Sequence, residues 1–165
     1  MATALKLEIS FCAEFWPMKP FVDSGFLLTL LFTTSGSPVA GNIAHGLEGP
    51  ILLASLQIFT TENGLRRQIE AKGSSAAQRA LAAAALQRFR WYCEQQVFQM
   101  IPLDYDIAIQ LANQWQQRLT KTLPGLLLLW PALAATLGAT HFLSFDPRTR
   151  RLAQTAGLEL LPQTL

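Results

Sequence analysis

Acidic residues are absent from the whole stretch between Ile107 and Phe145, and charge is scarce throughout, since only 15% of the 165 residues are Asp, Glu, Lys or Arg. A chain this poor in charge and half apolar is not a disordered one, because it can bury enough surface to offset the entropy of ordering. A formal net charge of +2 excludes the dense basic coat of a dedicated DNA-binding domain. Cysteine and histidine are scarce as well. Cys12 and Cys93 stand far apart, and His45 and His141 have no ligand-spaced neighbours, so zinc is not indicated and reduced thiols in a cytoplasmic protein are expected. A loop imidazole is expected at His45 and a strand-edge residue at His141. Repeats and linker-like tracts are missing too, which leaves one domain, of a size that buries roughly two thirds of its unfolded surface.

The opening residues lack a basic segment followed by a continuous apolar one, which argues against a secretion signal. The uncharged run "LPGLLLLWPALAATLGATHFL", residues 123–143, is long enough to cross a bilayer. Pro131 interrupts it and strand-like residues follow Gly138, so a buried helix and a strand are expected in place of a membrane span.

Short apolar runs alternate with helical patterns. "PFVD" reads as a strand and "SGFLLTLLF" as the helix after it; "PILLAS" repeats the strand, and a helix over "TTENGLRRQIEAKG" is expected to end at Gly73. Ser75 and Gln78 form a Ser-x-x-Gln capping box ahead of a helix expected to reach Met100, with Leu86, Phe89, Cys93 and Val97 on one face. Asp104 is the expected cap of a helix striped by Ile107, Leu111, Trp115 and Leu119. A helix around 125–137, the strand "HFLSF", the helix "PRTRRLAQTA" and the strand "LELL" complete the chain. Such alternation implies an α/β fold with a parallel sheet covered on both faces. Ligands of such sheets lie beyond the carboxyl ends of the strands, where Asp23 and Asp146 both fall. Each aspartate also suits a helix cap, Asp146 with Pro147 at the first helical position, and the two roles are compatible.

The segments "MKPFVDSGFLLTLLF" (residues 18–32) and "LGATHFLSFDPRTRRLAQTAGLELLP" (residues 137–162) resemble the opening and close of PIN domains of the VapC toxin type. The resemblance implies a small three-layer α/β/α sandwich over residues 18–165, with residues 1–17 an N-terminal extension. In that family four acidic residues meet at the rim, bind magnesium or manganese and activate water to cut RNA. By the resemblance Asp23 and Asp146 take the first and last acidic positions, and with them the catalytic and metal-binding roles. The other two positions fall on Thr60 and Leu127. Glu62, two residues beyond Thr60 and about 200° round a helix, is the substitute acid nearest in sequence. A histidine of the family motif falls on Trp130.

Arg66, Arg67 and Lys72 on one expected helix, and Arg148, Arg150 and Arg151 after Asp146, are candidate RNA-phosphate contacts or a solvated helix face. Trp91, Trp115 and Trp130 read as packing or interface anchors in preference to base-stacking platforms, since no basic run is interleaved with them. The functional expectation is a VapC-like ribonuclease relative, weak or inactive, binding magnesium or manganese weakly. RNA, an antitoxin-like protein and a second copy in a homodimer are its expected partners, with no membrane. The alternative is a non-catalytic module that binds RNA or an antitoxin on the same fold.

Overall fold

The computed structural model describes residues 18–32, 35–47 and 50–164, so the N-terminal extension and Cys12 lie outside the described residues. Strand β1 (Pro20–Val22) leads into α1 (Ser24–Leu31) and then α2 (Ser37–His45). Strand β2 (Ile51–Ala54) passes without a loop into α3 (Ser55–Glu70), and α4 (Ala76–Glu94) precedes β3 (Phe98–Ile101). Two further helices, α5 (Tyr105–Arg118) and α6 (Gly125–Thr136), come before β4 (His141–Leu143), α7 (Pro147–Thr155) and β5 (Glu159–Leu161).

The five strands form one all-parallel sheet in the order β3-β2-β1-β4-β5. Alternation along each strand sends side chains to opposite faces, and this splits the core in two. Val22, Leu53 and Leu143 join Phe26, Leu65 and Phe89 under α1 to α4. Phe21 and Phe142 join Ala108, Leu133 and Ala153 under α5 to α7. The result is the α/β/α sandwich expected from sequence. Phe21 and Phe142 stack across β1 and β4 with ring centroids 6.1 Å apart, and Phe26 and Phe145 stack at 5.3 Å on the other side. Such ring pairs contribute roughly 0.5–1.5 kcal/mol beyond the area they bury.

Three local expectations need correction. The helix carrying the capping box stops at Glu94, because Gln96 takes a positive φ of 58°, and the residues that follow form β3, an edge strand. Val97 therefore leaves the helical face and is exposed, while Phe98 packs edge-on against Tyr92 at 5.3 Å. His45 is the last residue of α2 and not a loop residue; Pro38 occupies the first turn of that helix, where its missing N–H costs nothing. The helix before Gly73 begins at Ser55 and ends at Glu70, which leaves Lys72 beyond the helix that carries Arg66 and Arg67. Among the described residues no helix is long and apolar enough to cross a membrane. The uncharged run is α6, whose Leu128, Trp130 and Leu133 are buried against the sheet layer.

Helices α1 and α3 meet at Gly64, where an added Cβ would lie 2.7 Å from Leu28 Cδ1 and 3.0 Å from its Cδ2. Gly64→Ala gains about 1 kcal/mol of helix propensity but must push Leu28 aside, and overpacking costs about 1–3 kcal/mol. A net loss of about 1 kcal/mol is expected in urea unfolding; a more stable variant would show that Leu28 repacks without strain.

Candidate functional site

The strand order turns back on itself at β1, whose neighbours β2 and β4 are reached in opposite directions along the sheet. This is the topological switch point, where a crevice opens beyond the carboxyl ends of the strands. Asp23 follows β1 directly and its N–H donates to the Leu143 carbonyl at 3.1 Å, continuing the ladder with β4 one residue beyond β1. Asp146 stands three residues past β4. Two carboxylates thus reach one crevice from adjacent strands.

Their environments differ. Asp23 is 4% exposed, and one carboxylate oxygen accepts the Phe26 N–H at 2.6 Å, capping α1. Burial pushes its pKa from 3.8 up to about 6, although the Ser144 hydroxyl and the Phe26 N–H favour the ionised form; the negative charge of Asp146 adds to the rise. Asp146 caps α7 through the Arg148 N–H at 2.8 Å. The Arg148 guanidinium clasps both of its oxygens, Nε at 3.1 Å and an Nη at 2.7 Å. Hydrogen bonding from Arg148 holds the Asp146 carboxyl below its ordinary range. At neutral pH Asp146 is a paired anion, and Asp23 is an anion that pays heavily for desolvation.

Three neighbours escaped notice in the sequence. Ser144 is fully buried; its hydroxyl accepts the Asp146 N–H at 3.0 Å, lies 2.9 Å from the Thr149 hydroxyl and adjoins Asp23. Gln57 is fully buried; it accepts the Ala54 N–H at 2.6 Å and donates to the Val22 carbonyl, stitching the ends of β1 and β2. The Tyr105 hydroxyl meets Ser55 at 2.9 Å and the Leu56 N–H at 3.1 Å, closing the rim toward β3. Ser144 had one signal, its place two residues before Asp146 at a strand end; the partners of Gln57 and Tyr105 are set only by tertiary packing.

The remaining sequence candidates fall elsewhere. Glu62 faces α4, where its carboxylate accepts Arg90 Nε at 2.8 Å and meets Arg66 at 3.4 Å. Hydrogen bonding from Arg90 lowers its pKa, and neither Asp23 nor Asp146 contributes to that shift; Glu62 is not brought to the rim aspartates. The Thr60 hydroxyl turns back onto its own helix, donating to the Leu56 carbonyl at 2.8 Å. Leu127 lies half-buried in the first turn of α6, and Trp130 is buried. Arg66, Arg67, Arg148 and Arg151 are exposed. Arg150 is only 6% exposed: its guanidinium donates to the carbonyls of Ser144 at 2.9 Å, Pro162 at 2.6 Å and Gln163 at 3.4 Å. An arginine so enclosed ties the chain end to the Asp146 loop and has no surface to offer a phosphate. Cys93 is half-buried, and burial raises its thiol pKa, as suits an inert cysteine.

The donor set falls short of what magnesium or manganese takes in two-metal phosphodiester cleavage, where several oxygen ligands flank the phosphate. Among the described residues no group of three or more His, Cys, Asp or Glu could hold a metal ion. One rim carboxylate is a buried cap and the other is already matched by a guanidinium. These residues do not fit a resident metal centre.

No protein-family model matches the chain, and no curated protein matches it in sequence. A solved structure does match: VapC20 of Mycobacterium tuberculosis, described as a sarcin-ricin loop cleaving toxin, aligns at a TM-score of 0.60 over 81% of this chain and 94% of that one, with 16% identity. At that identity the likeness shows the fold, a PIN-like α/β/α sandwich.

Proposed function

We propose that the chain is a VapC-like PIN protein, derived from metal-dependent ribonucleases, whose cleavage activity is weak or lost and whose RNA binding persists. The observation that carries this reading is the pair Asp23 and Asp146 at the carboxyl ends of adjacent strands, on a fold similar to that of an RNA-cleaving toxin; the sequence resemblance adds Thr60 and Leu127 as the occupants of the two further acidic positions. Magnesium or manganese has no resident site between these two carboxylates and binds the parent only weakly, with solvent supplying most of its ligands. RNA, an antitoxin-like protein and a second copy are the partners, in the cytoplasm. Fold alone does not carry activity, and the missing acids favour the binding role over catalysis.

The test restores the acids. In Thr60→Glu with Leu127→Asp, four carboxylates crowd one rim, repel one another in the absence of metal and gain a cation ligand set. Manganese at about ten times its dissociation constant contributes about 1.4 kcal/mol to a protein that binds it only when folded. The melting temperature of the double variant should then rise by about 3–6 °C and that of the parent hardly at all. An equal rise in both would show that Asp23 and Asp146 suffice. Robust RNA cleavage by the parent, abolished by Asp146→Asn, would overturn the weak-enzyme reading.

A further inference from the structure

Beyond Asp146 the rim opens into a cleft of about 440 Å³ between the end of α5, the loop that follows it and the outer face of α7. Arg118 and Lys121 stand on one side, Arg148 and Arg151 on the other, and no acidic side chain lines it. Its apolar floor includes Trp115 and Leu152. Among the described residues Arg118, Lys121 and Arg151 form no ion pair, so three of the four cations have uncompensated charge. The fourth, Arg148, spans the two places: its guanidinium holds Asp146 while its side chain lines the cleft.

Four cations around one concavity repel one another. Such an arrangement costs stability unless an anion fills it, and low-dielectric walls concentrate the positive potential there. From these observations we infer that the cleft is a subsite for single-stranded RNA, binding consecutive phosphates between its two cationic walls and laying a base on the Trp115 floor. The inference rests on the proposed RNA-binding reading and places that binding on the α5–α7 side of the rim. An acidic peptide would satisfy the charges but carries a flat ring only at its occasional aromatic residues, whereas every base has one to set on an aromatic floor. Continuity through Arg148 also gives a strand in the cleft a direct path to the aspartates. Trp115, expected from sequence to be a packing anchor, takes both parts: it is half-buried and supplies a wall of the cleft.

Fluorescence anisotropy of a labelled single-stranded RNA of about a dozen nucleotides, in EDTA, tests the assignment on the full chain. The Arg118→Gln/Lys121→Gln variant and the Arg151→Gln variant are compared with Arg79→Gln/Arg88→Gln, which removes two charges from α4 on the opposite layer. About ten-fold weaker binding is expected for the first pair, and its slope of log affinity against log salt should be shallower by about 1.4, some 0.7 for each lost phosphate contact. The α4 control should bind like the parent. Equal losses in cleft and control variants would overturn the subsite, since net charge alone would explain them. Unchanged binding in the cleft variants, with loss in Arg66→Gln/Arg67→Gln, would move the RNA to α3 and leave the general reading intact. A parent that binds no RNA but takes oligoglutamate in the cleft would overturn both.

Discussion

At pH 7.5 the Asp23→Asn variant is expected to be more stable than the parent by about 3 kcal/mol, the equivalent of raising a carboxyl pKa from 3.8 to about 6 at about 1.36 kcal/mol per pH unit. The sign follows from proton counting. Between these two values the folded chain holds the proton that the unfolded chain has released, so stability falls as pH rises through that window and stays low above it. Below pH 4 both states are protonated, and the two proteins should converge. Asparagine keeps the side-chain oxygen that accepts the Phe26 N–H, so the α1 cap survives the change. Urea unfolding of both proteins at pH 3.5, 5 and 7.5, in EDTA, gives the comparison directly. A variant that is less stable than the parent at pH 7.5 would mean that Ser144 and the cap compensate the buried charge fully.

Arg150→Ala should lose about 1.5–3 kcal/mol, the range for removing a charged donor from carbonyls of which one is buried. Three carbonyls, of Ser144, Pro162 and Gln163, lose their donor, and the Ser144 carbonyl belongs to a fully buried residue that water does not easily reach. Arg151→Ala, one position along on the exposed face of α7, should change stability by less than about 0.5 kcal/mol. The pair separates a structural arginine from a ligand-facing one within a single turn of helix. An Arg150→Ala variant as stable as the parent would show that the chain end is held by something else.

Where hydrophobic period and cap chemistry agree, the elements were legible. The capping box at Ser75, the cap at Asp104 and the Asp146–Pro147 start of α7 all stand where local chemistry puts them. The strand β3 was hidden because Leu86, Phe89, Cys93 and Val97 continue a helical stripe, and nothing local announces the positive φ at Gln96 that breaks it. The helix α2 was hidden by its Gly and Pro content. At the site, the two aspartates could be placed because each ends a strand of recognisable pattern. The fate of the arginines could not, since Arg150 is distinguished from Arg151 by carbonyls six residues back and 12 and 13 residues further along. The face of Glu62, about 200° round α3 from Thr60, was readable from helix geometry; its partner Arg90, 28 residues away, was not.

The place of β1 in the sheet has a consequence for how the chain acquires its site. β1 is the first described element, yet its two neighbours are β2, some thirty residues later, and β4, which begins at His141. During synthesis β1 and β2 can pair early, but the Asp146 side of the crevice does not exist until the ribosome has delivered residues beyond 141, and Arg150 cannot fasten its loop before Pro162 emerges. Pairings of this span are slow to form, because the entropy of closing the loop precedes any contact that rewards it. The crevice and the cationic cleft beside it are therefore completed last among the described elements. A nascent chain that has delivered only α1 to α4 lacks the Asp146 side of the rim, and a ligand that needs both aspartates has no site until β4 and α7 have emerged.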